Sequence, residues 1–218
     1  MEKTNEKYQA YVQILKEELC PAMGCTEPIA LAYGAAVARK VLGEIPDKVE
    51  IGASGSIIKN VKSVIVPNTN HMKGIPAAAA AGIVAGNPDR ELEVIAEVSP
   101  EQIQQMKEFL DNTDISVHHV DNGLTFEISV TLYKGDSCSM VRIVNYHTNI
   151  VHIEKDGKVL KDIPVAGESE EGLTDRSLLN MEDIWDFINT VDVNDIKAVL
   201  DRQISYNMAI AEEGIRGD

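Results

Sequence analysis

Residues Cys20 to Gly34 read CPAMGCTEPIALAYG, and they open a helix made almost entirely of small side chains. Thr26 is the expected N-cap, Glu27 suits the positive end of the helix dipole, and Pro28 is tolerated in a first turn that needs no intrahelical donor. The helix runs from about Pro28 to Leu42 and is stopped by Gly43 and Pro46. Ala30, Ala32, Gly34, Ala35, Ala36 and Ala38 leave little bulk on any face, so other helices should surround it closely. GIPAAAAAGIVAGNP, Gly74 to Pro88, is a second helix of the same kind, opened by Gly74 and Pro76 and closed by Gly86, Asn87 and Pro88. The two are natural packing partners.

Working outward, Tyr8, Tyr11, Val12, Ile14, Leu15 and Leu19 recur at helical spacing before Pro21. Lys48–Ala53 and Ser63–Pro67 read as short strands separated by a flexible ASGS turn. Past Arg90 the texture changes: a strand over Leu92–Val98, a helix over Pro100–Leu110, then strands over Ile115–Val120, Leu124–Tyr133, Ser139–Tyr146 and Ile150–Glu154. His147, Thr148 and Asn149 then sit at the turn joining the last two. GESEEGLTD, from Gly167, reads as a solvated acidic linker. Helices resume over Met181–Thr190, with Asn180 as N-cap, and over Val193–Glu213.

The expected fold is therefore α+β, with small-residue-rich helices flanking a central α/β module of mostly antiparallel strands. Three parts are expected: a helical part over 1–88, an α+β module over 89–165 and a helical segment over 166–218. The alanine faces are expected to be buried against helices outside this chain, which would leave apolar surface free to self-associate or take a partner.

Composition narrows the function classes. The 218 residues are 44% hydrophobic and 25% charged, enough for real cores, and the net charge of −15 argues against nucleic acid or an anionic membrane as partner. MEKTNEKYQAYVQ carries no apolar signal core, and no apolar run approaches a membrane span, so the expected compartment is the cytoplasm. Three cysteines, Cys20, Cys25 and Cys138, fit reduced thiols better than a disulfide framework.

Cys25 would face the free N–H groups of the helix that follows it, a placement that lowers a thiol pKa and favours the thiolate. A small buried cysteine beside a tight Gly24 turn satisfies the same pattern. Cys20 and Cys25 make a C-x4-C pair, a spacing found in one class of iron-sulfur protein that needs further cysteines nearby. Asn68 to Lys73 precede the Gly74 helix, where free N–H groups favour an anion such as a substrate carboxylate. An ordinary polar loop feeding a helix reads the same way.

GCTEPIALA also resembles the N-terminal signature of the iron-sulfur-dependent L-cysteine desulfidases, which are related to the alpha chain of bacterial L-serine dehydratase. Further matching pieces follow in order: ASGSIIKNVKSVIVPNT from Ala53, GIPAAAAAG from Gly74, HTNIVHIEKDG from His147 and NMAIAEEGIRGD from Asn207. The resemblance implies that this chain is the N-terminal half of such a protein. It implies a 4Fe-4S cluster with Cys25 as one of three cysteine ligands and the others in a missing C-terminal half or partner chain. It implies α,β-elimination of L-cysteine to pyruvate, ammonia and hydrogen sulfide, with this chain inactive alone.

For that chemistry the candidate carboxylate clamp is Asn68, Thr69 and Asn70 with Gly74 at the helix start, with Ser54 and Gly55 as neighbouring backbone contacts. The candidate bases are His71, Lys73 and His147. L-Serine dehydratase activity is the nearest enzymatic rival. A non-catalytic small-molecule- or partner-binding protein on the same fold is the rival from another class, and a homo-oligomer is compatible with either.

Overall fold

The computed structural model describes residues 1–22, 24–165 and 173–217. In chain order the described residues form α1 (Glu6–Glu18), α2 (Thr26–Leu42), β1 (Lys48–Ala53), α3 (Gly55–Val61), α4 (Gly74–Ala85) and α5 (Pro100–Asn112). There follow β2 (Asp114–His119), β3 (Glu127–Lys134), β4 (Ser137–Val144), β5 (Ile150–Lys155), β6 (Lys158–Asp162), α6 (Met181–Thr190) and α7 (Val193–Arg216). They group into two compact units, one from residues 1–21 with the described part of 170–218, the other from the described part of 22–169.

The second unit is built on a mixed six-stranded sheet of order β2-β1-β3-β4-β5-β6. β1 runs parallel to β2, and every other neighbouring pair is antiparallel. This is the expected α+β class. The alternation of β3 turns Ile128, Val130 and Leu132 to the buried face, where Val49, Ile51 and Ala53 of β1 and Val141 and Ile143 of β4 join them. α2 lies on that face: a Cβ at Gly34 would stand 3.2 Å from the Ile143 side chain.

α4 packs against α2, and the small residues explain how closely. A Cβ at Gly82 would come 2.0 Å from the carbonyl oxygen of Ala32, and one at Gly86 would come 2.7 Å from the Cβ of Ala36. Ala30, Ala32, Ala35 and Ala38 of α2 and Ala78 to Ala81 of α4 are all fully buried. The alanine faces are thus covered by this chain's own elements.

Several local expectations change. No boundary falls at residue 88, because β1 is an interior strand flanked by β2 and β3 from the later stretch. ASGS is not a flexible turn: Ser54 is the N-cap of α3, a helix the sequence reading missed. Ser63–Pro67 forms no strand, only an isolated bridge between Ile65 and Lys73. Leu92–Val98 forms none either; a 3-10 stretch over Pro88–Glu93 leads into α5, whose Ser99 and Gln102 make a reciprocal capping box. Lys158–Asp162 adds an edge strand beyond the expected ones. Most of the acidic stretch from Gly167, and the final Asp218, lie outside the described residues.

The first unit is α1, α6 and α7 around one aromatic cluster. Phe187 stands edge-on to both Tyr8 and Tyr11, with ring centroids 5.4 Å apart in each pair, and Ile14 and Ile196 close the cluster. Polar ties surround it: Tyr8 Oη donates to Asp195 at 2.6 Å, and Arg176 spans Glu17 and Glu18 at 2.6 and 2.7 Å.

Candidate functional site

The site grows from the junction where the chain enters α2. Cys25, not Thr26, is the N-cap, and its side chain makes no capping bond. Its Sγ instead donates to Glu27 Oε2 at 3.0 Å. Burial first, and then the Glu27 carboxylate, push the thiol above its ordinary value. This corrects the expectation of a lowered pKa: burial, with a negative charge two residues on, outweighs the helix end.

Glu27 gathers the surrounding groups. Its other oxygen accepts from Asn60 Nδ2 at 3.1 Å, from the last turn of α3. The Cys25 thiol above all, with help from Asn60, holds the Glu27 carboxyl below its usual range. His147 lies in electrostatic reach of that carboxylate, and its ring packs edge-on against Phe126 with centroids 4.7 Å apart. Burial lowers the imidazole pKa, and the Glu27 charge only partly opposes this, so the site favours the neutral ring. The turn that presents it, between β4 and β5 as expected, is held by Asn149 Nδ2 donating to Val144 O at 3.0 Å and by Asn145 at φ +66°.

The other candidate residues divide into structural and accessible. Ser54 is buried, donating through Oγ to Thr125 O at 2.9 Å and accepting from Glu127 N at 3.2 Å, so its hydroxyl is committed to the fold. Gly55 leaves room for His119, whose Nε2 would stand 3.3 Å from an added Cβ. Thr69 is buried with its hydroxyl on Val66 O at 2.7 Å, and Asn68 donates to Ile95 O at 3.0 Å. Both side chains therefore hold the loop. Asn68, Asn70 and His71 all take positive φ, at 58°, 53° and 65°, a concentration of backbone strain in one loop.

Asn70, His71 and Lys73 are exposed, and Lys73 is the N-cap of α4. Gly74 has φ +88°, and an added Cβ would press on Lys62 O at 3.2 Å, so it is a backbone requirement before it is a contact. The loop approaches Cys25 where Gly24 meets Pro67, 4.0 Å from an added Cβ. No hydrogen bond or ion pair among the described residues joins His71 or Lys73 to Cys25 or Glu27. Of the three candidate bases, His147 alone is brought to the Cys25 junction.

Sequence reading missed Asn60 and a polar hollow of about 320 Å³ lined in part by Ser56, His119, Asp121 and Thr125. Both follow from α3: once Ser54 is an N-cap, Ser56 and Asn60 fall four apart on one helical face. The Ser-x-x-x-Asn spacing of Ser56 and Asn60 carries that signal only where the segment after Ser54 is helical.

The donor set does not fit a metal cluster by itself. Among the described residues no group of three or more His, Cys, Asp or Glu could hold a metal ion, and Cys25 is the lone thiol at the junction. One thiolate cannot hold an iron-sulfur cluster. Among the described residues no helix is long and apolar enough to cross a membrane.

Comparison with known proteins gives a consistent name. The chain is 52% identical to a UPF0597 protein of Desulfitobacterium hafniense over all 218 residues, 51% of that protein's length. It is 44% identical to a UPF0597 protein of Treponema denticola over 96% of this chain and 49% of that one. It is 42% identical to one from Fusobacterium nucleatum over 97% of this chain and 50% of that one. None of these names states an activity or links the chain to an L-cysteine desulfidase or a serine dehydratase. No family model matches the chain, and no solved structure matches it. This chain, then, is similar along its whole length to UPF0597 proteins, and it spans about half the length of the curated relatives it matches.

Proposed function

We propose that the chain is the N-terminal portion of a lyase that eliminates hydrogen sulfide from L-cysteine. A base takes the Cα proton, the Cβ–S bond breaks with its electron pair leaving on sulfur, and the resulting enamine tautomerises to an imine that water hydrolyses to pyruvate and ammonia. The observation that carries the reading is the state of His147. A base for a Cα proton must be unprotonated at working pH and held in place. His147 is half-buried against Phe126, burial favours its neutral form, and the Glu27 charge favours the imidazolium once the proton arrives.

In this reading Cys25 is one ligand of a 4Fe-4S cluster, and the others come from polypeptide outside this chain. L-Serine dehydration is the nearest rival, since it removes the same Cα proton and loses a hydroxyl in place of a thiol. The lone, hydrogen-bonded thiol at Cys25 favours a second reading, a non-catalytic small-molecule- or partner-binding protein on the same fold.

The test is anaerobic reconstitution of this chain with iron and sulfide. It is done with and without the part of the Desulfitobacterium relative that this chain does not match, followed by pyruvate release from L-cysteine and L-serine. Turnover only in the joined sample, lost about 100-fold or more in His147→Asn with KM little changed, is the expected result. No bound iron and no pyruvate in either sample would leave the binding reading in place.

A further inference from the structure

α7 is nearly twice as long as the helix it packs on. Its 24 residues span about 36 Å, against about 20 Å for the 13 residues of α1. Ile196 and Leu200 line an apolar groove of about 490 Å³ together with Tyr11, Ile14 and Phe187. The same stripe then continues as Ile204, Met208, Ala211 and Ile215, three or four residues apart, but every described residue of α7 beyond Leu200 is exposed. Ile204 is 59% and Ile215 84% exposed, and on α6 Met181 and Trp185 are 81% and 68% exposed. A seam that begins as a packed core thus runs on exposed, with none of the described residues covering it.

We propose that this seam docks the complementary half of a longer polypeptide, the part of the UPF0597 relatives that this chain does not match, and that a helix of that half covers α7 from Ile204 to Ile215. Two observations select this occupant. The relatives continue for about as many residues again outside the matched region. A second copy of this chain would bring two bodies of net charge −15 together, a repulsion that disfavours a homodimer across this seam. The inference does not rest on the lyase reading, because its test reads association and not turnover.

The experiment co-expresses this chain with the unmatched part of the Desulfitobacterium relative. It measures stoichiometry by light scattering and amide exchange across residues 201–216 by mass spectrometry, and the same exchange is read in an in-frame fusion of the two. A 1:1 complex is expected, with those amides slowed at least tenfold relative to this chain alone, and with both effects lost in Ile204→Asp/Met208→Asp. These two side chains are more than half exposed, so the variant keeps the circular dichroism of the parent. A complex indifferent to the variant would overturn the proposal, as would unslowed amides in the fusion. So would a dimer of this chain alone that slows the same amides, which would make a second copy the occupant.

Discussion

α4 and α7 are both helices with apolar side chains on every turn, yet one is sealed and the other is open. In α4 the residues from Ala77 to Ile83 are all buried, and its partner α2 comes so near that a glycine faces a backbone carbonyl. In α7 only Ile196 is buried, although isoleucine and methionine recur to its end. Side-chain size separates the two. Alanine and glycine give little apolar area per residue, so a helix built from them is stable only when backbone meets backbone and dispersion contacts are dense. Isoleucine and methionine bury more area each and can wait for a partner, at the cost of apolar surface in water until it arrives.

The sharpest way to break this comparison is Gly82→Ala. The added methyl would stand 2.0 Å from Ala32 O, and because backbone cannot swing aside, α2 and α4 must part along their length. A loss of about 3 kcal/mol or more is expected, read as insoluble protein or a collapsed thermal transition. A variant as stable as the parent would mean that α2 and α4 are not in backbone contact.

The α2–α4 pair was legible in the sequence because its signal is compositional: small residues between glycine and proline stops can only be a tight helix. The antiparallel strands were legible by alternation, and α6 by its Asn180 cap. What failed was whatever depends on partners far along the chain. β1 reads as a strand anywhere, but its place between β2 and β3 is set by pairing across more than sixty residues of intervening chain, which no local pattern encodes. Leu92–Val98 reads like a strand, yet among the described residues it pairs with no strand: Leu92 and Glu93 end a 3-10 stretch and Val94 to Glu97 turn toward α5.

The candidate site followed the same rule. Cys25 and His147 were singled out from their own surroundings, but the residue that links them, Glu27, was read only as a helix-end charge. Its bond to Cys25 is local, but its bond to Asn60 exists only because the segment after Ser54 is a helix and not the expected turn. Asn68 and Thr69 were read as clamp residues because they are polar and precede a helix. Their side chains are spent on the carbonyls of Ile95 and Val66, the usual task of Asn and Thr in a strained loop.

A middle-sized effect is expected inside the sheet, where Glu127 is buried beside a carboxylate-binding pair. Arg142 Nε and Nη2 donate to it at 2.8 and 3.1 Å, and Asn122 Nδ2 donates at 2.6 Å. Burial alone would raise this carboxyl, and the Arg142 and Asn122 bonds outweigh it and hold it below its ordinary value of 4.5. A carboxyl lowered on folding adds stability that is complete above its unfolded pKa and is lost as pH falls through the folded one. Glu127→Gln should therefore cost about 2 kcal/mol at neutral pH, with the gap to the parent narrowing below pH 4.5 in denaturant titrations. A gap that stays constant into acid would show that the charge contributes nothing.

The smallest effect sharpens the comparison most, because it lies within one helix. Ile196 and Ile210 are the same residue, fourteen positions apart on α7, with exposures of 8% and 71%. Ile210→Lys removes no packed contact and should change stability by less than about 0.5 kcal/mol, while lowering any tendency of the isolated chain to associate. Ile196→Lys puts an ammonium beside Tyr8, Tyr11 and Phe187 and should cost about 3 kcal/mol or more. If the two substitutions cost the same, the end of α7 is already covered in the protein as isolated, and the division between a closed and an open half of that helix fails. If they differ as stated, Ile210 is held in reserve for a surface that the chain itself does not supply.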